Sequence, residues 1–353
     1  MQLFKESIMV AFAFVGVVVG AGFATGQEIF QFFTSNGIYS ISGIIVTGLI
    51  ITLAGVFVLN TGFVIQSHNH SESIRYYLHP IIARIFDIIL TLFLFSLAMI
   101  MTAGGASTIH ESFGLPYWLS SLILVLVILM TLFLKFERLI TVLGMVTPFL
   151  VIVVSIIAIY YFITGDLNFS AANRFNKQHQ SLSLGWWFDG LNYASLQIAA
   201  AFSFLSVMGG RMQHRQSGLW GGLLGGIIIT LLLLMINLGL VTEFEHIQSV
   251  ALPTLLLASH ISPLLGTVMS IIMVLVIYNT IVGLMYAFAS RFTEPFSKGY
   301  FVLIIIMAII TFICTFIGFI SLIGKVFPIM GLFGFILLIP ILYQGFKHLV
   351  FSK

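Results

Sequence analysis

The sequence predicts an all-α polytopic membrane protein with ten transmembrane helices, on three observations. Hydrophobic residues make up 60% of the 353 and charged residues only 7%, against about a quarter charged in an ordinary soluble domain, so most of the surface must face lipid. Apolar runs of about 20 residues, the length a helix needs to cross a hydrocarbon core of about 30 Å, recur from one end of the chain to the other. The Lys and Arg residues sit beside the ends of those runs and favour one side.

The runs place spans at about 7–34, 38–65, 80–110, 115–135 and 138–164, and then at about 185–209, 216–242, 264–290, 300–320 and 326–349. Counting from an inside N-terminus puts Lys5, Arg75, Arg84, Lys135, Arg138, Arg211, Arg215, Arg291, Lys298, Lys347 and Lys353 on the cytoplasmic side. Only Arg174, Lys177 and Lys325 fall outside, a division of eleven against three among the 14 basic residues. An error of one span would scramble that asymmetry, so the count and the orientation support each other. Both termini are expected to be cytoplasmic, in a plasma membrane.

The longest polar stretch, Gly165–Ser183, has 19 residues and reads as an extracellular loop rather than a folded module. The chain is therefore expected to be a single membrane domain, 1–353, divided into halves 7–164 and 185–349. Five spans per half force the second half into the opposite orientation, which is the arithmetic of an inverted repeat. In the loop at 243–262, Pro253 is followed by Thr-Leu-Leu-Leu-Ala, a short helix over the outer face that serves either as an interfacial anchor or as an extracellular lid.

Several function classes are excluded by composition. The net charge of +3 comes from basic residues in ones and twos, too sparse to track phosphates, so no nucleic-acid partner is expected. Cys314 is the one cysteine, which rules out an internal disulfide and a multi-cysteine metal site. The apolar segment from Ile8 is too long for a cleavable signal peptide. An enzyme would need titratable groups clustered at one depth, whereas the chain offers His110 beside Glu111 and no HExxH or GxSxG pattern.

Span 1 is the most informative segment. In Val19-Gly20-Ala21-Gly22-Phe23-Ala24-Thr25-Gly26-Gln27-Glu28, three glycines fall within seven residues at mid-membrane depth. Thr25 to Glu28 then reads as a capping box, in which the Thr hydroxyl and the Glu carboxylate satisfy each other's backbone N–H groups. The pattern predicts an inner half-helix to about Gly20, an unwound stretch to about Ala24, and an outer half-helix from about Gly26. Freed backbone at that depth is tolerated only around an interior site. The amino end of the outer half suits a carboxylate, and the carbonyl end of the inner half suits sodium or an ammonium. The competing reading is close helix packing through small residues at the Gly16–Gly20 and Gly22–Gly26 spacings. Glu28 has its own pair of readings, a structural cap or a coupling group.

The stretch Val19–Glu28, opening a chain of this length, resembles the YkvI-like family of amino acid permeases in the amino acid-polyamine-organocation superfamily. That resemblance implies the LeuT fold, with spans 1–5 and 6–10 as inverted repeats, spans 1 and 6 discontinuous, and solute held between them beside spans 3 and 8. It implies a secondary active transporter of a small amino-acid-like solute, working by alternating access and coupled to sodium or protons, with no other cofactor. A solute sensor with a transporter-like fold is the alternative. The resemblance places solute contacts at Gly20, Ala21, Gly22, Phe23, Ala24, Thr25 and Gly26, and a span 6 break around Gln197–Ser203, with Gln197, Ala200 and Ser203 at the solute. Gly16, Val19, Asn279, Thr280 and Glu28 are the candidate ion or coupling positions, and no metal beyond sodium is expected.

The remaining polar groups within apolar runs have structural readings beside any functional one. Asp87 has Arg84 at i−3 and forms either a solvated pair or part of a gate. Lys325 either snorkels to the interface or faces Glu111 or Asp189. Asn60, Asn192 and Asn237 need interhelical partners. Pro148, Pro328 and Pro340 predict kinks.

Overall fold

The computed structural model describes residues 2–67, 70–133, 146–165, 167, 169–179, 184–294 and 297–351. Lys135, Arg138 and Lys353, part of the expected inner positive charge, lie outside the described residues, as do residues 180–183. Among the described residues every regular element is helical.

The amino-terminal segment forms α1 (Gln2–Val18), α2 (Ala21–Thr25) and α3 (Gln27–Phe32), followed by a short 3-10 turn. Then come α4 (Tyr39–Ile65), α5 (His70–Tyr77), α6 (Pro80–Phe113), α7 (Tyr117–Phe133) and α8 (Val146–Thr164). The rest of the chain forms α9 (Ser170–His179), α10 (Trp186–Arg211), α11 (Arg215–Thr242), α12 (Phe244–Ile247), α13 (Pro253–Ile261), α14 (Pro263–Phe292), α15 (Lys298–Thr315) and α16 (Phe319–Phe351). Seven of these, α4, α6, α10, α11, α14, α15 and α16, are long and apolar enough to cross a membrane, and α7 and α8 are shorter apolar helices. The protein is a multi-pass membrane protein.

The boundaries follow local chemistry. Pro80 and Pro263 open α6 and α14, where a missing N–H costs nothing. Ser262 and Ser297 cap α14 and α15 by accepting from the backbone N–H groups of Leu265 and Tyr300. Gly114 ends α6 in the left-handed conformation.

Small residues then set which helices touch. On α11, Gly221 and Gly225 leave room for Val10 and Phe14 of α1, and Gly222 and Gly226 for Val56 and Thr52 of α4. Gly62 of α4 and Gly209 of α10 meet so closely that a Cβ on either would lie 3.2 or 3.1 Å from the other's Cα. In lipid, where apolar burial between helices gains little, such close backbone approach is what drives association.

Buried polar groups fasten the same elements. Asn237, fully buried on α11, accepts from the Thr34 hydroxyl at 2.8 Å and donates to Ser40 at 2.9 Å, each bond contributing about 1 kcal/mol in this setting. Asn60 accepts from Arg215 Nε at 2.6 Å, and Asn192 donates to the Pro328 carbonyl at 3.2 Å. At the inner end of α1, Glu6 accepts from the Gln213 amide, His214 and Ser217, tying that end to the loop between α10 and α11. The stretch expected as a bare loop after α8 contains α9, whose Asn173 accepts from the Ile38 amide at 3.0 Å. Asp87 differs from expectation: its partner is Arg291 of α14 at 3.1 Å, because Arg291 reaches across from the facing helix and also donates to the Asp87 carbonyl and to Thr91.

Candidate functional site

Residues 15–30 leave helical geometry twice. At the end of α1 the Val19 N–H still bonds to Val15 O at 2.7 Å, but Gly20 is extended and its N–H turns to Val18 O at 3.0 Å. The Gly16 carbonyl thereby loses its i+4 donor. One turn of helix follows, and Gly26 then takes φ +75°, left-handed, a conformation that costs an L side chain about 1–2 kcal/mol. Its N–H bonds to Phe23 O at 3.2 Å, while its own carbonyl accepts from Phe30 N–H to begin α3.

The cap differs from the capping-box expectation. The Thr25 hydroxyl donates to Gly22 O at 2.8 Å and accepts from the Gln27 amide at 3.3 Å, so Gln27, not Glu28, is its backbone partner. With Gly26 left-handed between them, Thr25 and Glu28 are no longer on one helical turn, and the Glu28 carboxylate is free to point inward. There it packs against Gly22, so closely that a Cβ on Gly22 would overlap Oε1. Its Oε2 accepts from Gln197 Nε2 at 3.2 Å and from the Tyr193 hydroxyl at 3.4 Å. Glu28 is 5% exposed and Tyr193 fully buried.

These groups border a cavity of about 80 Å³. Its wall is built from the break (Val17, Val18, Gly20, Ala21, Gly22, Phe23 and Glu28), from α6 (Phe93, Leu97 and Met101), from α10 (Leu196, Gln197 and Ala200), from α14 (Thr280) and from α16 (Phe327). Among the described residues no lysine, arginine or histidine lines it. Thr280 donates its hydroxyl proton back to Val276 O at 2.9 Å, which leaves the oxygen lone pairs as acceptors.

Of the residues singled out from sequence, Gly20, Ala21, Gly22, Phe23, Glu28, Gln197, Ala200 and Thr280 meet at this cavity. Gly16, Val19, Ala24, Thr25, Gly26, Ser203 and Asn279 do not line it. Ala24 and Gly26 instead face α13: the Thr254 hydroxyl donates to Ala24 O, and a Cβ on Gly26 would lie 2.7 Å from Thr254 Cγ2. The 253–261 helix packs over the break, with Pro253, Thr254, Leu257 and Ala258 buried.

The expected break in span 6 is not present. Trp186–Arg211 is one continuous helix of 26 residues through Gln197–Ser203. That stretch has no glycine or proline, and three of its seven residues are alanine, the strongest helix former, so nothing there offsets the loss of helical hydrogen bonds. The apolar wall of Phe93, Leu97, Met101, Leu196 and Phe327 escaped the sequence reading because such residues look identical whether they face a cavity or lipid. Tyr193 did leave a signal, since it stands four residues before Gln197 and therefore on the same helical face.

Comparisons with known proteins agree with this architecture. No protein-family model matches the chain. It is 26% identical over 327 residues to the uncharacterized membrane protein YkvI of Bacillus subtilis, covering 91% of each chain. It is 24% identical to YyaD of the same organism over 93% of this chain and 94% of that one. Among solved structures it superposes on a manganese transporter of Eremococcus coleocola with TM-score 0.60 at 15% identity, over 99% of this chain and 88% of that one. It superposes on the inward-facing conformation of Mhp1 with TM-score 0.60 at 14% identity, over 95% and 75%. The likeness first visible at Val19–Glu28 thus extends along nearly the whole chain: this protein is a homologue of YkvI with the fold of the LeuT-type transporters.

Proposed function

We propose that the protein is a secondary active transporter of a small amine-bearing solute of the amino-acid type, moved by alternating access through the cavity at the interrupted first helix. The observation that carries this reading is convergence. Eight positions singled out from sequence, on the amino-terminal segment, α10 and α14, border one cavity where a buried carboxylate and an amide meet helical backbone turned away from its own partners. Irregular backbone at membrane depth is stable only around such a site, and two packed halves rocking about a midplane site would expose it to each side in turn. α13 presses on the outer side of the break through Thr254, the contact such motion would have to release.

In this reading the amino-terminal segment, α4, α6, α7, α8, α10, α11, α14, α15 and α16 make ten crossings of the plasma membrane in a five-plus-five inverted repeat, with both termini cytoplasmic. The coupling ion is sodium or a proton. Thr280, beside Val17, Val18 and Gly20, and the Gly16 carbonyl freed from its helical donor are oxygen acceptors of the kind a cation needs.

Counterflow of labelled amino acids and amines in vesicles containing the purified protein tests the proposal. Exchange that accelerates with solute trapped inside supports a carrier; saturable binding with no flux supports a sensor instead.

A further inference from the structure

We infer that the cavity, where Glu28 is the one ionisable side chain among the described lining residues, selects a small cationic amine without a free carboxylate over the corresponding amino acid. The inference rests on the carrier reading of the same cavity and narrows its solute.

The polar atoms of the site are unevenly divided. The side-chain donors nearest Glu28 are turned to it, since Gln197 Nε2 and the Tyr193 hydroxyl both donate to its Oε2. What remains for a ligand on these side chains is chiefly acceptors, the carboxylate itself and the other end of the Gln197 amide, against one further hydrogen on Gln197 Nε2. Oε1 of Glu28 fills the space beside Gly22, where the backbone of the break borders the cavity. A solute carboxylate would share this small space with that of Glu28, in a pocket whose described lining residues include no basic one, and like charges so placed disfavour each other strongly. An ammonium meets the opposite arrangement. Its alkyl body has Phe93, Leu97, Met101 and Phe327 to pack on, and a cavity of about 80 Å³ favours the smallest such bodies.

The test is binding of matched pairs to the full-length purified chain, ethylamine against alanine and isobutylamine against valine, by calorimetry. Each amine is expected to bind at least tenfold more tightly than its amino acid. Glu28→Gln is expected to lose at least tenfold in amine affinity and to bring the two members of each pair together. Tighter binding of the amino acids by the unaltered protein, or binding of neither class, would overturn the inference, and that comparison needs no variant to fold. Flux separates the two readings. Counterflow of valine with none of isobutylamine would sink the amine assignment and keep the carrier, whereas tight amine binding without counterflow of either would keep the assignment and remove the carrier.

Discussion

The amino-terminal segment and α10 both line the cavity, and they solve the same packing problem oppositely. Between Val15 and Phe30 the chain gives up helical bonds at Gly20 and Gly26 and exposes backbone to the interior. Over Gln197–Ser203, at the facing position, α10 keeps its helix and contributes only side chains. The difference lies in residue type. Gly26 adopts φ +75° without a Cβ to strain, and Gly22 leaves the space that the Glu28 carboxylate fills. Ala199, Ala200 and Ala201 gain nothing from leaving a helix. A site between two helices thus needs only one of them broken, provided the other brings polar side chains to the gap.

The sharpest way to break this contrast is Gly26→Leu. A side chain there requires a strained left-handed backbone and collides with Thr254, whose backbone N would lie 3.1 Å from the new Cβ. Complete loss of solute binding and flux is expected; full binding by this variant would show that the second turn of the break is dispensable.

Gly22→Leu should also abolish binding, through a different route. The obstacle is the mobile end of Glu28 rather than backbone, so the variant is expected to fold, with its melting temperature near that of the parent, while its displaced carboxylate and new side chain fill the cavity. Retained affinity in a folded Gly22→Leu protein would place the solute elsewhere.

On the unbroken side, Ala201→Gly, at a fully buried position of α10 that does not line the cavity, should cost about 1 kcal/mol and leave the helix intact. Hydrogen exchange across 195–205 reads the outcome. A newly unprotected stretch would mean that α10 is held from breaking by one residue.

The smallest expected effect is at the ion. If sodium is coupled at the inner half of the break, Thr280→Ala, which removes an oxygen beside Val17, Val18 and Gly20, should raise the sodium concentration for half-maximal uptake several-fold, with solute affinity at saturating sodium little changed. Uptake by the parent that ignores sodium altogether would leave the proton as the coupling ion.

Much of the architecture was readable before any coordinates. The ends of α4, α11 and α14 fall within a few residues of the expected spans, because the length of an apolar run is dictated by bilayer thickness and nothing local competes with it. Three glycines that close together weaken a helix wherever they occur, but the stretch expected to be unwound to about Ala24 is a helical turn, Ala21–Thr25, and the departures fall at Gly20 and Gly26 on either side of it. The orientation of Glu28 was not legible. The spacing Thr25 to Glu28 satisfies a capping box, and only the left-handed turn at Gly26, stabilised by the close approach of α13, rotates the carboxylate away from the cap and toward Gln197 and Tyr193. The partner of Asp87 was missed for the same reason, since a sequence shows Arg84 one turn away but not Arg291 on the facing helix.

By itself, then, the sequence determined the quantities set by solvent and by single residues: membrane residence, span positions, and where the first helix is weak. The tertiary structure alone decided which side chains share the cavity and which way Glu28 points. These depend on contacts between residues more than 160 positions apart in the chain, such as the 165 and 169 that separate Glu28 from Tyr193 and Gln197, and no local pattern encodes a distance of that kind.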